Sequence, residues 1–318
     1  MIKFNLPGLY EHHALNMYMI ELYKTNPEVF RKHVKIESIF GNFPFCIWDG
    51  GRNFAYYKQA TKEQVENIRR DYLNFNAKAR FVFTNPELTE EDLDDRWCNL
   101  LLNIFNNTKE EIVINSDLMK NYLQKNYPDY NLVSSTTKCI TNKEKALEEI
   151  MNPEYYQVCL DYNLNKDIEF LESIPKEYRH KVEFLCNAIC PPGCAHRKMH
   201  YSETGLAHLT YLKEKYSVIN HCHISEGVNH PSKIGCGNNL SWEEIEKYHQ
   251  MGFQHFKLEG RTLESSTMFA QYLYYLIKPE YYFYVAESVV KSGALINDYN
   301  NPDIFEYKGA KEYSGVTY

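Results

Sequence analysis

Cysteines crowd one stretch of this chain, and their spacing is the first feature that could do chemistry. The chain contains nine cysteines, and five of them fall in this stretch: Cys186, Cys190, Cys194, Cys222 and Cys236. Cys190 and Cys194 enclose the tripeptide Pro-Pro-Gly, which favours a turn and would bring two sulfurs to one side. Because several thiolates in a tight loop suit zinc or an iron–sulfur cluster, the segment predicts a metal site.

The spacing favours an iron–sulfur cluster over zinc. Structural zinc sites usually pair closely spaced cysteines and repeat the pair at a distance, whereas Cys222 and Cys236 lie far apart. We therefore predict that the ligands are Cys190, Cys194, Cys222 and Cys236, with zinc as the alternative metal. Cys186 is a reserve ligand, and histidines of the same segment could replace one thiolate. These histidines are His196, His200, His221 and His223.

Charged residues elsewhere suggest a substrate pocket. Glu259 and Arg261 follow an apolar run, and Arg52 follows two glycines that allow a ligand to approach the backbone closely. An arginine can bind a carboxylate or phosphate through two hydrogen bonds, and Glu259 could orient the substrate or act as a base. The three residues are candidate catalytic residues for a small anionic or nucleotide-like substrate. His12 and His13 are weaker candidates for the same pocket.

The elements that must position these residues alternate between strands and helices. Eight short runs rich in β-branched and aromatic residues are predicted strands: Lys3–Pro7, Val34–Phe40, Ala79–Thr84, Glu111–Asn115, Asn131–Thr136, Tyr156–Asp161, Lys181–Asn187 and His255–Glu259. Helical patterns separate them: His13–Tyr23, Lys62–Asn74, Asp92–Phe105, Asp117–Lys125, Asn142–Ile150, Asp167–Glu172 and Ser241–Met251. Such alternation predicts parallel strands with crossover helices.

Eight strands favour a closed (β/α)8 barrel, and the absence of a G-x-G-x-x-G fingerprint weakens the open-sheet alternative. Active sites of such barrels lie at the carboxyl ends of the strands, where polar residues collect in this sequence. The barrel is predicted to span residues 1–278, with a long cysteine-rich insertion after the seventh strand. Residues 279–318 are predicted to form a helix and a tail packed on the barrel.

Composition limits the class of protein. The net charge is −7, so an extended nucleic-acid surface, which needs a basic stripe, is not expected. The sequence contains no apolar run long enough for a membrane span, and its first residues do not resemble a signal peptide. An odd number of cysteines argues against a disulfide scaffold. These features predict a cytoplasmic protein.

Two segments resemble the peptidase U32 family. They are Asn187–Arg197, which contains the Cys-Pro-Pro-Gly-Cys turn, and Phe256–Arg261, which reads F-K-L-E-G-R. The resemblance implies a (β/α)8-like barrel and a [4Fe–4S] cluster on four cysteines. It also implies either proteolysis, for which the family is named, or oxygen-independent hydroxylation of tRNA, rRNA or a quinone precursor.

We expect a redox or hydroxylation enzyme. One alternative is a peptidase, but the sequence has no G-x-S-x-G or H-E-x-x-H motif, and a metal held by four cysteines has no open position for hydrolysis. The other alternative is a non-catalytic subunit that carries its cluster into a complex with a protein partner.

Overall fold

The computed structural model describes residues 1–51, 59–106, 110–210 and 237–295. Within them, parallel strands form a closed barrel in which each strand pairs with the next and the last pairs with the first. The strands are β1 (Ile2–Pro7), β2 (Val34–Gly41), β3 (Lys78–Phe83), β4 (Glu111–Ile114), β5 (Asn131–Ser134), β6 (Gln157–Cys159), β7 (Val182–Leu185) and β8 (His255–Lys257). The predicted (β/α)8 barrel is confirmed. Most predicted strands ran too far at the carboxyl end, because polar rim residues follow the last ladder pairs.

Helices surround the barrel. They are α1 (His13–Thr25), α2 (Lys62–Asn74), α3 (Arg96–Phe105), α4 (Asp117–Asn126), α5 (Lys143–Met151), α6 (Ile168–Ser173), α7 (Arg197–Thr210), α8 (Trp242–Gln250), α9 (Ser265–Leu276) and α10 (Tyr282–Ser292). The predicted helices are confirmed with one change. The range 92–105 divides into a 3₁₀ turn and α3, because the Asp95 side chain accepts a hydrogen bond from the backbone of Cys98 at 2.7 Å and begins a new helix there.

Two helices were not predicted from the sequence. α7 lies inside the segment that was expected to be one long insertion, and α9 follows β8. α9 buries residues on several sides, including Phe269 and Tyr272, so it lacks the single apolar face that marks a surface helix.

The barrel interior has a charged layer toward the amino ends of the strands. Arg80 donates hydrogen bonds to Glu111, Glu183 and Gln157, and Asn5 also donates to Glu183. These side chains are fully or almost fully buried. A buried charge is tolerated only when it is paired, so the layer forms a polar plug that fills this half of the barrel.

Apolar side chains lie nearer the carboxyl ends of the strands. Phe40, Val82, Val113 and Val133 form a separate interior cluster. The large core lies between the sheet and the helices, where Phe184 stacks on Phe256 with ring centroids 5.8 Å apart. Together the plug and the apolar cluster fill the barrel interior from its amino-terminal end. A ligand would therefore approach the interior from the rim formed by the carboxyl ends of the strands.

The last described helix, α10, buries Val285 and Val289 in the large core. Residues 296–318 lie outside the described residues, so the predicted tail is not tested. Among the described helices, none combines the length and apolar character that crossing a membrane would require.

Candidate functional site

A pocket opens at the rim of the barrel. Its empty space, including the part open to solvent, is about 510 Å³. It is lined by Phe40, Gly51, Val82, Thr84, Ser135, Thr136, Thr137, Leu185, Tyr201, Lys257, Glu259, Gly260 and Arg261. Of the polar strand ends noted in the sequence, those after β3, β5 and β8 line this pocket, whereas Asp161 and Asn187 do not.

Lys257, the last residue of β8, lies in this pocket and is 7% exposed. Its Nζ is 4.0 Å from the centroid of the Phe40 ring. Burial lowers the pKa of Lys257, while the neighbouring Glu183 and Cys159 act in the opposite direction. In the sequence, Lys257 is noticeable only as part of the F-K-L-E-G-R segment. The missed signal is a lysine inside a barrel strand, where an apolar residue is usual.

Arg261 lies at the rim, as predicted, but its guanidinium is bound to Asp49. Nη1 is 2.6 Å from one carboxylate oxygen and Nη2 is 3.1 Å from the other. Burial alone would raise the pKa of Asp49, but Arg261 lowers it below its usual value. The carboxylate that Arg261 clamps is thus part of the protein. Arg261 can face a ligand only with the part of its guanidinium that Asp49 leaves accessible.

Gly51 lies beside Arg261 Nη2, the amino group that also donates to Asp49. A Cβ placed on Gly51 would lie 3.3 Å from Arg261 Nη2 and 3.5 Å from the hydroxyl oxygen of Thr84. A larger residue at this position would therefore cover both groups. The hydroxyl of Thr84 is buried and has no hydrogen-bond partner among the described residues. Arg52, the next residue and a predicted site residue, lies outside the described residues.

Glu11, which follows β1, adds a second acid beside Arg261. Burial raises the pKa of Glu11 to about 7, although the charge of Arg261 acts in the opposite direction. Its Oε2 would be 3.5 Å from a Cβ at Gly41, which places it against the end of β2. Sequence reasoning missed Glu11 and Asp49, since neither belongs to a motif and both follow their strands by several residues.

Glu259 connects the pocket to the cysteine segment. Its Oε2 accepts a 3.0 Å hydrogen bond from the backbone N–H of Ile189. The side chain of Asn187 donates to the Glu259 carbonyl at 2.9 Å and accepts from its N–H at 2.6 Å. Glu259 also lines the rim pocket. Arg261 finds its carboxylate partner in Asp49.

Cys190 and Cys194 flank a turn after β7. Gly193, at the centre of the turn, has a φ of +68°, and its N–H donates to Asn163 Oδ1 at 2.8 Å. Both thiols are partly exposed. Cys190 packs against Tyr162, Leu185 and Ala188. Because Leu185 also lines the pocket, one side chain separates Cys190 from the pocket wall.

The chain returns to this turn at Gly237, the residue after Cys236. A Cβ on Gly237 would lie 3.1 Å from Pro192 Cγ, and Asn238 donates a 2.9 Å hydrogen bond to Asn163 Oδ1, which also accepts from Gly193. Cys222 and Cys236 themselves lie outside the described residues, as do His221 and His223. Three potential metal ligands do not come together anywhere in the described part of the chain.

Cys186, the reserve ligand, lies in a different environment. It is fully buried in the large core with Phe184, and burial raises the pKa of its thiol well above the usual value. A group that resists ionisation is a poor metal ligand, because the metal binds the thiolate. His196, at the start of α7, is exposed.

An ion pair holds α7 over the rim. Arg197 Nη1 donates to Asp161 at 2.6 Å, and its other amino group donates to the Thr136 carbonyl, also at 2.6 Å. Arg197 Nε donates to the hydroxyl of Tyr201, a pocket residue, at 3.1 Å. Asp161 was noted in the sequence as a charged strand end. Its role here is to fix a helix that the sequence did not predict.

His12 and His13, which follow β1, make contacts that connect elements of the fold. His12 contacts the hydroxyl of Ser265 at 3.1 Å and the Gly260 carbonyl at 3.0 Å. His13 contacts Asp71 of α2 at 2.9 Å. Neither histidine lines the pocket.

The chain was compared with known proteins and solved structures. A structure described as that of the U32 peptidase Mk0906 is similar with a TM-score of 0.49 and 14% sequence identity, over 82% of this chain and 93% of that chain. No protein-family model matches the sequence, and no curated protein sequence matches it.

Proposed function

We propose that the chain is an enzyme that binds a small anionic or nucleotide-like substrate at the rim of the barrel, beside a cysteine-held iron–sulfur cluster. One observation carries the proposal: the rim pocket and the Cys190 turn share a wall. Leu185 contributes to both, and Glu259 in the pocket accepts a hydrogen bond from Ile189, the residue before Cys190. A redox group at the turn would therefore act on a ligand in the pocket.

The described thiols fit a metal cluster. Cys190 and Cys194 flank one turn and are partly exposed, whereas Cys46, Cys98, Cys159 and Cys186 are buried. Gly237 packs against Pro192 between these two cysteines, which supports Cys236 as a further ligand, and Cys222 would complete the set. Soft thiolate ligands suit iron–sulfur clusters, with zinc as the alternative metal. When bound, a [4Fe–4S] cluster would supply single electrons.

The residues of the chain would bind and orient the substrate. The accessible part of Arg261 and the hydroxyls of Thr84 and Ser135 line one pocket and suit an anionic or hydroxylated ligand. Tyr201, which accepts a hydrogen bond from Arg197, lines the pocket from the side of α7. Glu259 holds the cysteine segment against the pocket wall. We favour a redox reaction of the oxygen-independent hydroxylation type.

Anaerobic purification of the full chain tests the proposal. We expect a coloured protein that contains iron and sulfide, and loss of both in Cys190→Ser and Cys194→Ser. The matched control is Cys186→Ala, which should keep the cluster because Cys186 faces the core. A colourless protein with one stoichiometric zinc would refute the redox function.

Two other results would each replace the proposal. Cleavage of a peptide library by the metal-free protein would support a peptidase. Co-purification with a second protein, combined with inactivity of the isolated chain, would support a cluster-carrying partner subunit.

A further inference from the structure

We infer that Lys257 is a nucleophile that forms an imine with a small substrate bearing a carbonyl group beside a carboxylate. This inference rests on the proposed substrate pocket and names the chemistry of its substrate. It does not depend on the metal. The starting observation is that the rim pocket contains a primary amine that is 7% exposed and therefore nine-tenths buried.

Lys257 Nζ has no carboxylate partner among the described residues. It makes no ion pair within 4.0 Å there, and it lies 4.0 Å from the centroid of the Phe40 ring. Three buried arginines are paired with carboxylates: Arg80 with Glu111 and Glu183, Arg197 with Asp161, and Arg261 with Asp49. Two further buried cations, Arg179 and Lys181, donate to backbone carbonyls instead. Among the described residues, Lys257 is thus held in the pocket without the carboxylate partner that each of the three paired arginines has.

The charges around Lys257 act in both directions. Burial lowers its pKa, as do the positive charges of Arg80 and Arg261, while Glu183 and Cys159 raise it. Burial is the largest of these effects. A lysine placed in an apolar environment beside other cations retains more of the unprotonated amine, which is the nucleophilic form.

The pocket walls suit the rest of such a substrate. Arg261 Nη2 lies beside Gly51, and the Thr84 hydroxyl on the other side of Gly51 is buried without a partner among the described residues. These groups can bind a carboxylate. Tyr201 lies in the same pocket and accepts a hydrogen bond from Arg197.

The reaction balances without a further reagent. The Lys257 amine attacks the carbonyl carbon, and the carbonyl oxygen takes a proton to give a carbinolamine. This intermediate expels its oxygen as water after a second protonation, and a protonated imine remains. The positive nitrogen withdraws electrons through the imine carbon. This weakens a C–H or C–C bond on the carbon next to the imine carbon.

Reductive trapping on the full-length protein tests the inference. The protein is incubated with pyruvate and cyanoborohydride, digested, and mapped by mass spectrometry, with lactate as the probe that lacks a carbonyl. We expect one reduced adduct, on Lys257, that forms faster than adducts on exposed lysines, because Lys257 lies in the substrate pocket and burial favours its unprotonated amine.

Two variants serve as controls. Lys257→Arg keeps a cation but should abolish the adduct. Lys198→Arg removes an exposed lysine of α7 near the rim and should leave the adduct unchanged. Because peptide mapping is done on the unaltered protein, the test does not depend on whether Lys257→Arg folds.

Each negative result would refute a different part of the inference. Adducts spread over exposed lysines with none on Lys257 would refute the nucleophile. Equal stabilisation against heat by pyruvate and lactate, with nothing trapped, would show that Lys257 is only a charge partner, while the pocket would still bind anions. Absence of both binding and trapping would refute the substrate class. The iron content reports on the proposed redox function independently of all three results.

Discussion

Glu259 and Ile189 are joined by a 3.0 Å hydrogen bond from a backbone N–H to a carboxylate oxygen, and this bond links the last barrel strand to the cysteine segment. Hydrogen bonds to charged groups contribute about 1.5–3 kcal/mol. The bond fixes the residue before Cys190 against a residue of the pocket, so the position of the cysteine turn and the shape of the pocket depend on each other.

Glu259→Ala should therefore loosen the cysteine turn. We expect the purified variant to retain less iron and to be cleaved faster by protease between β7 and α7, while the barrel unfolds at nearly the temperature of the unaltered protein. Glu259→Gln is the matched control, because its amide oxygen can still accept from Ile189. Equal iron retention in all three proteins would show that the bond does not hold the turn.

Replacing either Arg261 or Asp49 alone should lower the free energy of unfolding. Removing one partner of a buried ion pair leaves an uncompensated charge and costs about 3–5 kcal/mol. Urea denaturation should show this loss for Arg261→Met and for Asp49→Ala. The double variant should lose much less than the sum of the two. Additive losses would contradict the pairing.

Glu11 should make stability depend on pH. Burial raises its folded pKa from 4.5 to about 7, so the protonated form is favoured in the folded state. The stabilisation of the folded state by protonated Glu11 is fully present below pH 4.5. It is lost as the pH rises through about 7, which lowers the free energy of unfolding by up to about 3 kcal/mol. Glu11→Gln should flatten this part of the stability curve in urea titrations from pH 4.5 to 8. Parallel curves for the two proteins would refute the shift.

Thr84→Val should separate binding from stability. The Thr84 hydroxyl is buried and makes no hydrogen bond within the described parts of the chain, so a methyl group in its place should leave the free energy of unfolding unchanged or raise it by up to about 1 kcal/mol. If the hydroxyl serves a ligand, binding of pyruvate measured by calorimetry should weaken. A loss of stability would show that the hydroxyl has a structural partner.

Filling the pocket provides a steric test. Gly51→Leu would place a side chain against Arg261 and Thr84 without removing either group. We expect ligand binding to fall at least about tenfold, the effect of about 1.4 kcal/mol, while the iron content stays the same. Unchanged binding would place the substrate elsewhere.

The fold followed from the sequence because barrel strands are short, apolar and regularly interrupted. The convergence of Glu259 with the cysteine turn followed from topology, since adjacent parallel strands end on one rim. The partner of Arg261 could not be predicted from the sequence. Asp49 lies eight residues beyond β2, and its position depends on how that loop folds back. Lys257 could have been noticed as a lysine inside a barrel strand, but the lack of a carboxylate partner among the described residues is visible only in the packed structure.

The polar plug also bears on the order in which the barrel is completed. Arg80 meets Glu111 thirty-one residues later in the sequence, but Gln157 and Glu183 follow it by 77 and 103 residues. A nascent chain that has emerged only through β4 would hold a guanidinium with one of its three partners, and Asn5 would lack Glu183 entirely. Contacts between such distant residues carry a large entropic cost. The hydrogen-bond network of the plug therefore cannot be completed until β7 has been synthesised.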